Sequence, residues 1–237
     1  MKVEVWSDFA CPFCYIGKRR FEAALEGFEH KNEVEVVFRS FELDPSAPRD
    51  NDKDMHAILA SKYGMGYERA KEMNDNMTEQ AKTVGLTYRF DTMKPTNMLD
   101  AHRLTHWAGE FGKRYEMTER LFKAYFTDSE HLGDREVLAR LAGEIGLDAK
   151  AAADMLESEA YKTEVREDEG QASKLGITGV PFFVVNQKYG ISGAQPEEVF
   201  ANALNEIWKE DHPLKMVGGS DDLACQDGSC ALPADNK

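Results

Sequence analysis

Val3 and Val5 alternate with Lys2 and Glu4 along residues 2–7, and Val34, Val36 and Phe38 alternate with charged or polar neighbours along 33–41. A period of two marks a half-buried strand, so both stretches predict strands. Between them, over 11–28, the period lengthens: Phe21, Ala24, Leu25 and Phe28 form an apolar stripe that runs back through Gly17 and Cys14, the signature of a helix. Pro45 and Pro48 end the second strand. From about 51 to 176 nearly every segment is helical in period, with stripes at Leu104, Trp107, Ala108 and Phe111, then Leu121, Phe122, Tyr125 and Phe126, then Val137, Leu138, Leu141 and Ile145. Gly85, Gly112, Gly133, Gly146 and Gly176 stand where those helices should stop. Strand character returns at 182–186 and 189–192. A last helix begins at Pro196 and should bury Phe200, Ala203, Leu204 and Ile207; from His212 the chain is rich in Gly, Ser and Asp, has no period and reads as a flexible tail. No internal repeat is visible. The order β-α-β, helices, β-β-α predicts an α/β chain with a small sheet built from 1–45 and 177–210, an inserted helical subdomain over 46–176, and a tail over 211–237.

The 237 residues are enough for a sizeable core. Asp and Glu outnumber Lys and Arg by 43 to 29, a net charge of −14, which repels phosphate and argues against a nucleic acid or an anionic membrane as partner. The longest apolar run, near Val180–Val185, is far below the roughly 18 residues of a membrane span. Met1 leads almost straight into a strand without a basic-then-apolar leader, so the expected location is the cytosol if residue 1 is the native start. Four cysteines in a reducing compartment read as catalytic, redox-sensing or metal-binding rather than as a structural framework.

Cys11-Pro12-Phe13-Cys14 falls between the first strand and the first helix. Proline favours the first helical position, which nominates Cys11 as the N-cap. Its sulfur should then face unpaired backbone N–H groups and the positive end of the helix dipole, both of which favour a thiolate. Cys14, one turn on and in line with the apolar stripe, should point inward while Cys11 stays accessible. An exposed attacking sulfur and a shielded resolving sulfur are what disulfide exchange requires.

Four stretches, Ser7 through Gly17, Asn97 through Leu104, Gly179-Val180-Pro181-Phe182-Phe183 and Ser192-Gly193-Ala194-Gln195, resemble the DsbA-like oxidoreductases. Within them the chain is most similar to the FrnE-like subgroup, which is related to the glutathione-dependent 2-hydroxychromene-2-carboxylate isomerases. The resemblance covers roughly residues 1–210. It implies a thioredoxin-like fold with a large helical insertion between the N-terminal βαβ and the C-terminal ββα. It also implies dithiol–disulfide exchange with Cys11 as nucleophile, Cys14 as resolver and Pro181 in cis beside the dithiol, with the Val180 backbone open to an extended substrate; an ordinary trans proline at a strand edge is the alternative. The isomerases carry serine where this chain has Cys11, which favours redox chemistry. Strongly oxidising DsbA-type sites carry histidine between the cysteines, and Phe13 has neither N–H nor charge, so a more reducing protein is expected.

Other residues admit more than one reading. Cys225 and Cys230, separated by Gln-Asp-Gly-Ser, could form a redox shuttle for the first pair, a passive pair, or half of a Cys₄ zinc site completed by Cys11 and Cys14. His102 and His106 have i, i+4 spacing; lining the substrate side or packing against the sheet is favoured over a metal. Phe9, Phe13 and Tyr15 could form an apolar collar for substrate or pack in the core. Lys18, Arg19 and Arg20 could stabilise the Cys11 thiolate or form a solvated basic face, and the acidic run 164–169 reads as a solvated helix face. The favoured function is a protein thiol–disulfide oxidoreductase or isomerase that needs no metal or organic cofactor. It would act on disulfide-containing proteins or peptides and be recharged by glutathione or a thioredoxin-type system. A glutathione-dependent isomerase or transferase on a small aromatic substrate is the alternative, and a redox sensor or client-binding module the third.

Overall fold

The computed structural model describes residues 1–213; Cys225, Cys230 and the expected tail from 214 onward lie outside the described residues. Strands β1 (Lys2–Ser7) and β2 (Glu35–Ser40) run parallel, with Val3 opposite Val36 and Val5 opposite Phe38, and are joined through helix α1 (Pro12–Glu26). Strand β3 (Phe182–Val185) lies antiparallel to β1, and β4 (Tyr189–Ser192) closes a hairpin on β3, so the sheet order is β2-β1-β3-β4. The alternation read from the sequence sorts the faces. Val3, Val5, Phe38, Phe183 and Val185 pack under α1 and the last helix, α9 (Glu197–Asp211), while Trp6 and Val184 face the other way.

Between β2 and β3 come α2 (Met55–Tyr63), α3 (Tyr67–Lys82), α4 (Leu99–Gly109), α5 (Arg114–Phe126), α6 (Arg135–Glu144), α7 (Ala149–Glu157) and α8 (Lys162–Lys174). Asp54, Asp134 and Asp148 cap α2, α6 and α7 by accepting from backbone N–H groups of the first turn. Most of these helices share a second core around Leu104, Met117, Leu121, Phe122, Phe126 and Leu141. Phe111, expected in the α4 stripe, lies past the end of the helix and is exposed. Gly133 is not a helix terminator: it lies between α5 and α6, where a Cβ would collide with Thr96 Oγ1 and press on the Arg49 carbonyl.

Two features differ from the sequence reading. The apolar stripe of α1 serves two cores. Cys14 and its neighbours Tyr15 and Ile16 join the helical core, whereas Phe21, Ala24 and Phe28 join the sheet core. The first turns of the helix thus pack against the insertion and its later turns against the sheet. Helix α8, within the expected insertion over 46–176, packs over the open face of the sheet: Ala172 packs with Trp6, and Trp6 Nε1 donates to the Asp168 carbonyl at 2.9 Å. The acidic run on α8 is therefore not uniformly solvated. Asp168 is buried, pairs with Arg39 at 3.0 Å and accepts from Ser40 N at 2.9 Å.

Candidate active site

The loop from β1 into α1 is held by Asp8, whose Oδ1 accepts from Ala10 N at 3.0 Å and whose Oδ2 accepts from Leu43 N at 2.7 Å, while the Asp8 carbonyl accepts from Cys11 N at 3.0 Å. Cys11 follows in extended conformation (φ −92°, ψ 111°) as the N-cap, and Pro12 opens the helix. The Cys11 sulfur makes no hydrogen bond to the N–H groups of the first turn. It lies instead 3.5 Å from the Val180 carbonyl, to which its S–H donates. Nor is it exposed: Cys11 keeps only 4% of its surface. The sequence reading had an accessible sulfur facing the helix end; the strand start at Val180 comes over it, and approach is through the cleft that Cys11 lines.

Cys14 is buried one turn further on. Burial pushes its thiol well above the ordinary range, and the hydrogen bond to Cys11 and the charge of that sulfur push it further. Both cysteines are free thiols. The Val180–Pro181 peptide bond is cis. Pro181 packs on α1 at Gly17, where a Cβ would come within 3.0 Å of the proline ring. Arg20, on the same helix, donates to the Ala194 carbonyl at 2.6 Å.

A cleft of about 470 Å³ opens in front of the dithiol. Its walls come from the head of α1, the loop after β2, the α2–α3 hairpin and the segment before α4, with Met55, Ile58, Leu59, Met77, Phe90 and Met98 making it largely apolar. Tyr88 ties this wall to the site by donating to the Pro12 carbonyl at 2.7 Å. Of the expected aromatic collar only Phe13 reaches the cleft, 42% exposed. Phe9 and Tyr15 are core residues packed against Phe122, Tyr15 stacked on it and Phe9 tilted, drawn in by the helical core that α1 enters.

The expected basic face is neither free nor solvated. Lys18 is buried and pairs with Glu22 at 2.5 Å and Glu119 at 2.6 Å; Arg19 pairs with the same two carboxylates. With Tyr15 donating to Glu119 at 2.7 Å, these contacts rivet α1 to α5. The two histidines part company. His106 Nε2 lies 3.0 Å from Asp168 Oδ2 and 3.1 Å from Ser40 Oγ, and its Nδ1 is 3.3 Å from Arg114. His102, against Phe9, puts Nε2 3.6 Å from Asp8 Oδ1 and does not line the cleft. Among the described residues no three His, Cys, Asp or Glu side chains gather as a metal site. Asp8, in the loop from β1 into α1, has no role of its own in the sequence reading, and Glu42, which the loop after β2 brings to the cleft, does not figure in it at all. Asp8 could have been noticed as a polar residue closing an apolar strand; nothing local marks Glu42.

A model of the DSBA-like thioredoxin domain matches residues 2–205. The uncharacterized protein YwbO of Bacillus subtilis is 32% identical over 210 residues, covering 88% of this chain and 98% of that protein. The crystal structure of a probable DsbA oxidoreductase from Streptomyces coelicolor superposes with a TM-score of 0.85 at 45% identity, covering 99% of this chain and all of that one. A 2-hydroxychromene-2-carboxylate isomerase shares the fold at a TM-score of 0.66 and 14% identity, over 91% of this chain and all of its own. The thioredoxin-like sheet, the helical insertion and the extent of these matches agree, and the chain belongs to the DsbA-like thioredoxin-domain family of oxidoreductases.

Proposed function

We propose that the chain is a protein thiol–disulfide oxidoreductase or isomerase of the FrnE-like type, working through the Cys11–Cys14 dithiol. The observation that carries this is the inequality of the two sulfurs: Cys11 lines the cleft, and Cys14 stands behind it with its thiol held protonated. Cys11, as thiolate, attacks one sulfur of a client disulfide. A Cys11–client S–S bond forms, the client S–S bond breaks, and the leaving client sulfur takes up a proton. Once Cys11 is bound in the mixed disulfide it no longer carries the charge that opposed ionisation of Cys14. Cys14 then gives up its proton and attacks Cys11; the Cys11–Cys14 disulfide forms and the second client thiol departs. The client gains two electrons and the dithiol loses them, to be restored by an external thiol reductant such as glutathione or a thioredoxin-type system. The same steps reversed oxidise a client, and release after the first attack allows isomerisation. No metal or organic cofactor enters. The apolar cleft and the Val180 backbone beside Cys11 suit an extended client segment, with Phe13 at its mouth.

We place the chain in the cytosol, where a reducing thiol pool would restore the dithiol; among the described residues no helix is long and apolar enough to cross a membrane. Whether Cys225 and Cys230 exchange with this pair is decided by replacing both with serine: a shuttle predicts slower turnover, a passive pair an unchanged rate. The test of the reading is trapping. Cys14→Ser should accumulate mixed disulfides with clients, visible by mass spectrometry of the intact protein, and adding Cys11→Ser should abolish them. No adduct in Cys14→Ser would overturn the proposal. The cleft is also of small-ligand size, which favours a second reading as a glutathione-using isomerase on an aromatic substrate. That reading predicts activity on such a substrate that survives Cys11→Ser.

A further inference from the structure

The cleft wall is largely apolar, so the few polar atoms left open in it decide how a ligand is oriented there. Besides Cys11, five buried side chains bring oxygen or nitrogen to that wall: Asp8, Glu42, Asn74, Thr96 and Tyr125. Three of them are already engaged. Asp8 accepts from backbone donors through both oxygens, and Thr96 donates to the Arg49 carbonyl at 2.6 Å. Glu42 accepts from Arg166 through Oε2, and its Oε1 is sealed from solvent.

Asn74 and Tyr125 differ from these. Asn74, on α3, is 6% exposed; its Nδ2 lies 2.9 Å from His56 Nδ1, and His56 Nε2 lies 2.9 Å from Asp91 Oδ1. A carboxylate only accepts, so His56 Nε2 carries hydrogen; in the neutral ring Nδ1 is then a bare acceptor and takes a hydrogen from Asn74 Nδ2. His56 does not line the cleft, so the amide turns its nitrogen away from it and leaves Oδ1 on the open side. Tyr125, on α5, is 1% exposed, and its only polar side-chain atom, Oη, makes no hydrogen bond among the described residues. Burial and the nearby Asp8 charge raise its phenol above the ordinary range, so the hydroxyl keeps its proton and remains a donor. Among the described residues the side-chain atoms both sealed and without a partner are Glu42 Oε1 and His102 Nε2. Asn74 Oδ1 and Tyr125 Oη also lack a partner but are not sealed. The little surface their residues keep therefore includes these oxygens, and it opens on the cleft that both residues line.

We propose that Asn74 and Tyr125 are substrate-binding residues that hold the client by its main chain: Asn74 Oδ1 accepts a peptide N–H, and Tyr125 Oη donates to a peptide carbonyl. An extended chain offers one N–H and one carbonyl at nearly every residue, whatever its side chains, whereas a small aromatic disulfide lacks that pair. The cleft therefore selects polypeptide over small disulfides without reading a particular sequence, and leaves the client's side chains to the apolar wall. Ligand binding would otherwise strip water from both oxygens and leave them unpaired, which is what penalises a ligand without matching groups. This rests on Cys11 being the attacking sulfur.

The test uses the full chain with Cys225→Ser and Cys230→Ser, reduced, in single-turnover kinetics. The probes are a disulfide peptide, the same peptide N-methylated at one backbone nitrogen at a time, and 4,4′-dithiodipyridine, which has no peptide bond. At one position or more, N-methylation is expected to slow the reaction about tenfold, and that sensitivity should vanish in Asn74→Leu. Positions that pair with the Val180 backbone should stay sensitive in the variant. Tyr125→Phe, which removes a single oxygen, should slow the unmodified peptide at least about threefold relative to dithiodipyridine. A peptide indifferent to methylation at every position overturns the inference, as does a methylation profile unchanged in folded Asn74→Leu or a peptide-to-dithiodipyridine ratio unchanged in Tyr125→Phe. If dithiodipyridine fails to react at Cys11 of the parent chain, the underlying reading of the dithiol fails instead.

Discussion

Burial and the neighbouring Cys11 sulfur both raise the Cys14 thiol, so at neutral pH Cys14 stays protonated behind Cys11, which lines the cleft. Brief treatment with iodoacetamide at pH 7 should therefore modify Cys11 and leave Cys14 intact, as read by peptide mapping; labelling of Cys14 first would contradict the order of attack. Phe13 stands between them, exposed and without a donor, so Phe13→His should add an N–H that favours the thiolate and raise the reduction potential by about 30 mV, measured against a glutathione buffer. Gly17 permits the close approach of Pro181 to α1, and Gly17→Ala should lower stability by about 1–2 kcal/mol in denaturant melts, because a methyl group would press on the proline ring. At this scale the sequence was informative where a residue carries its own chemistry. Cys11, Cys14 and Pro181 announce themselves by type and spacing. Glu42 does not: its burial and its place in the cleft follow from a loop folding back on Asp8, 34 residues earlier in the chain, which no local pattern encodes.

Helix α8 illustrates what pattern reading loses at the scale of elements. Seen alone, 164–169 is a charged helix segment, and solvation is its simplest account. Once α8 covers the sheet, Asp168 meets Arg39, Ser40 N and His106 in the interior, and its carboxyl is held below the ordinary range by donors whose effect exceeds the opposing cost of burial. The folded state binds that proton more weakly than the unfolded chain does. Its contribution to stability is thus present above the ordinary carboxylate pKa and is lost as pH falls through the lowered folded value. Asp168→Asn should destabilise the protein by about 3 kcal/mol at pH 7, since it strands buried partners, with the difference from the parent shrinking in acid denaturation curves. The order of elements along the chain, with a helix between the first two strands, was legible because periods of two and 3.6 report burial on one face. The division of α1 between two cores was not, because a stripe reports which residues are buried and not which neighbour buries them.

For the whole molecule, the cleft exists only because sheet and insertion meet at the dithiol. The sheet unit supplies Cys11 and Val180, and the α2–α3 hairpin supplies an apolar wall at Met55, Ile58 and Met77. Ile58→Asp should slow reduction of a protein client such as insulin by about tenfold while sparing reaction with small disulfides. Comparable losses on both would place the effect at the dithiol rather than at the wall. The central claim is that one sulfur attacks and its neighbour resolves. Its most direct measurement is stoichiometric: the reduced full chain with Cys225→Ser and Cys230→Ser, mixed with excess 4,4′-dithiodipyridine while released thiopyridone is followed, then digested and mapped. The account predicts two equivalents of thiopyridone per chain and a Cys11–Cys14 disulfide, falling to one equivalent with the pyridyl group on Cys11 when Cys14→Ser is added. A single equivalent from the intact dithiol, or a pyridyl group found on Cys14 instead, would contradict it.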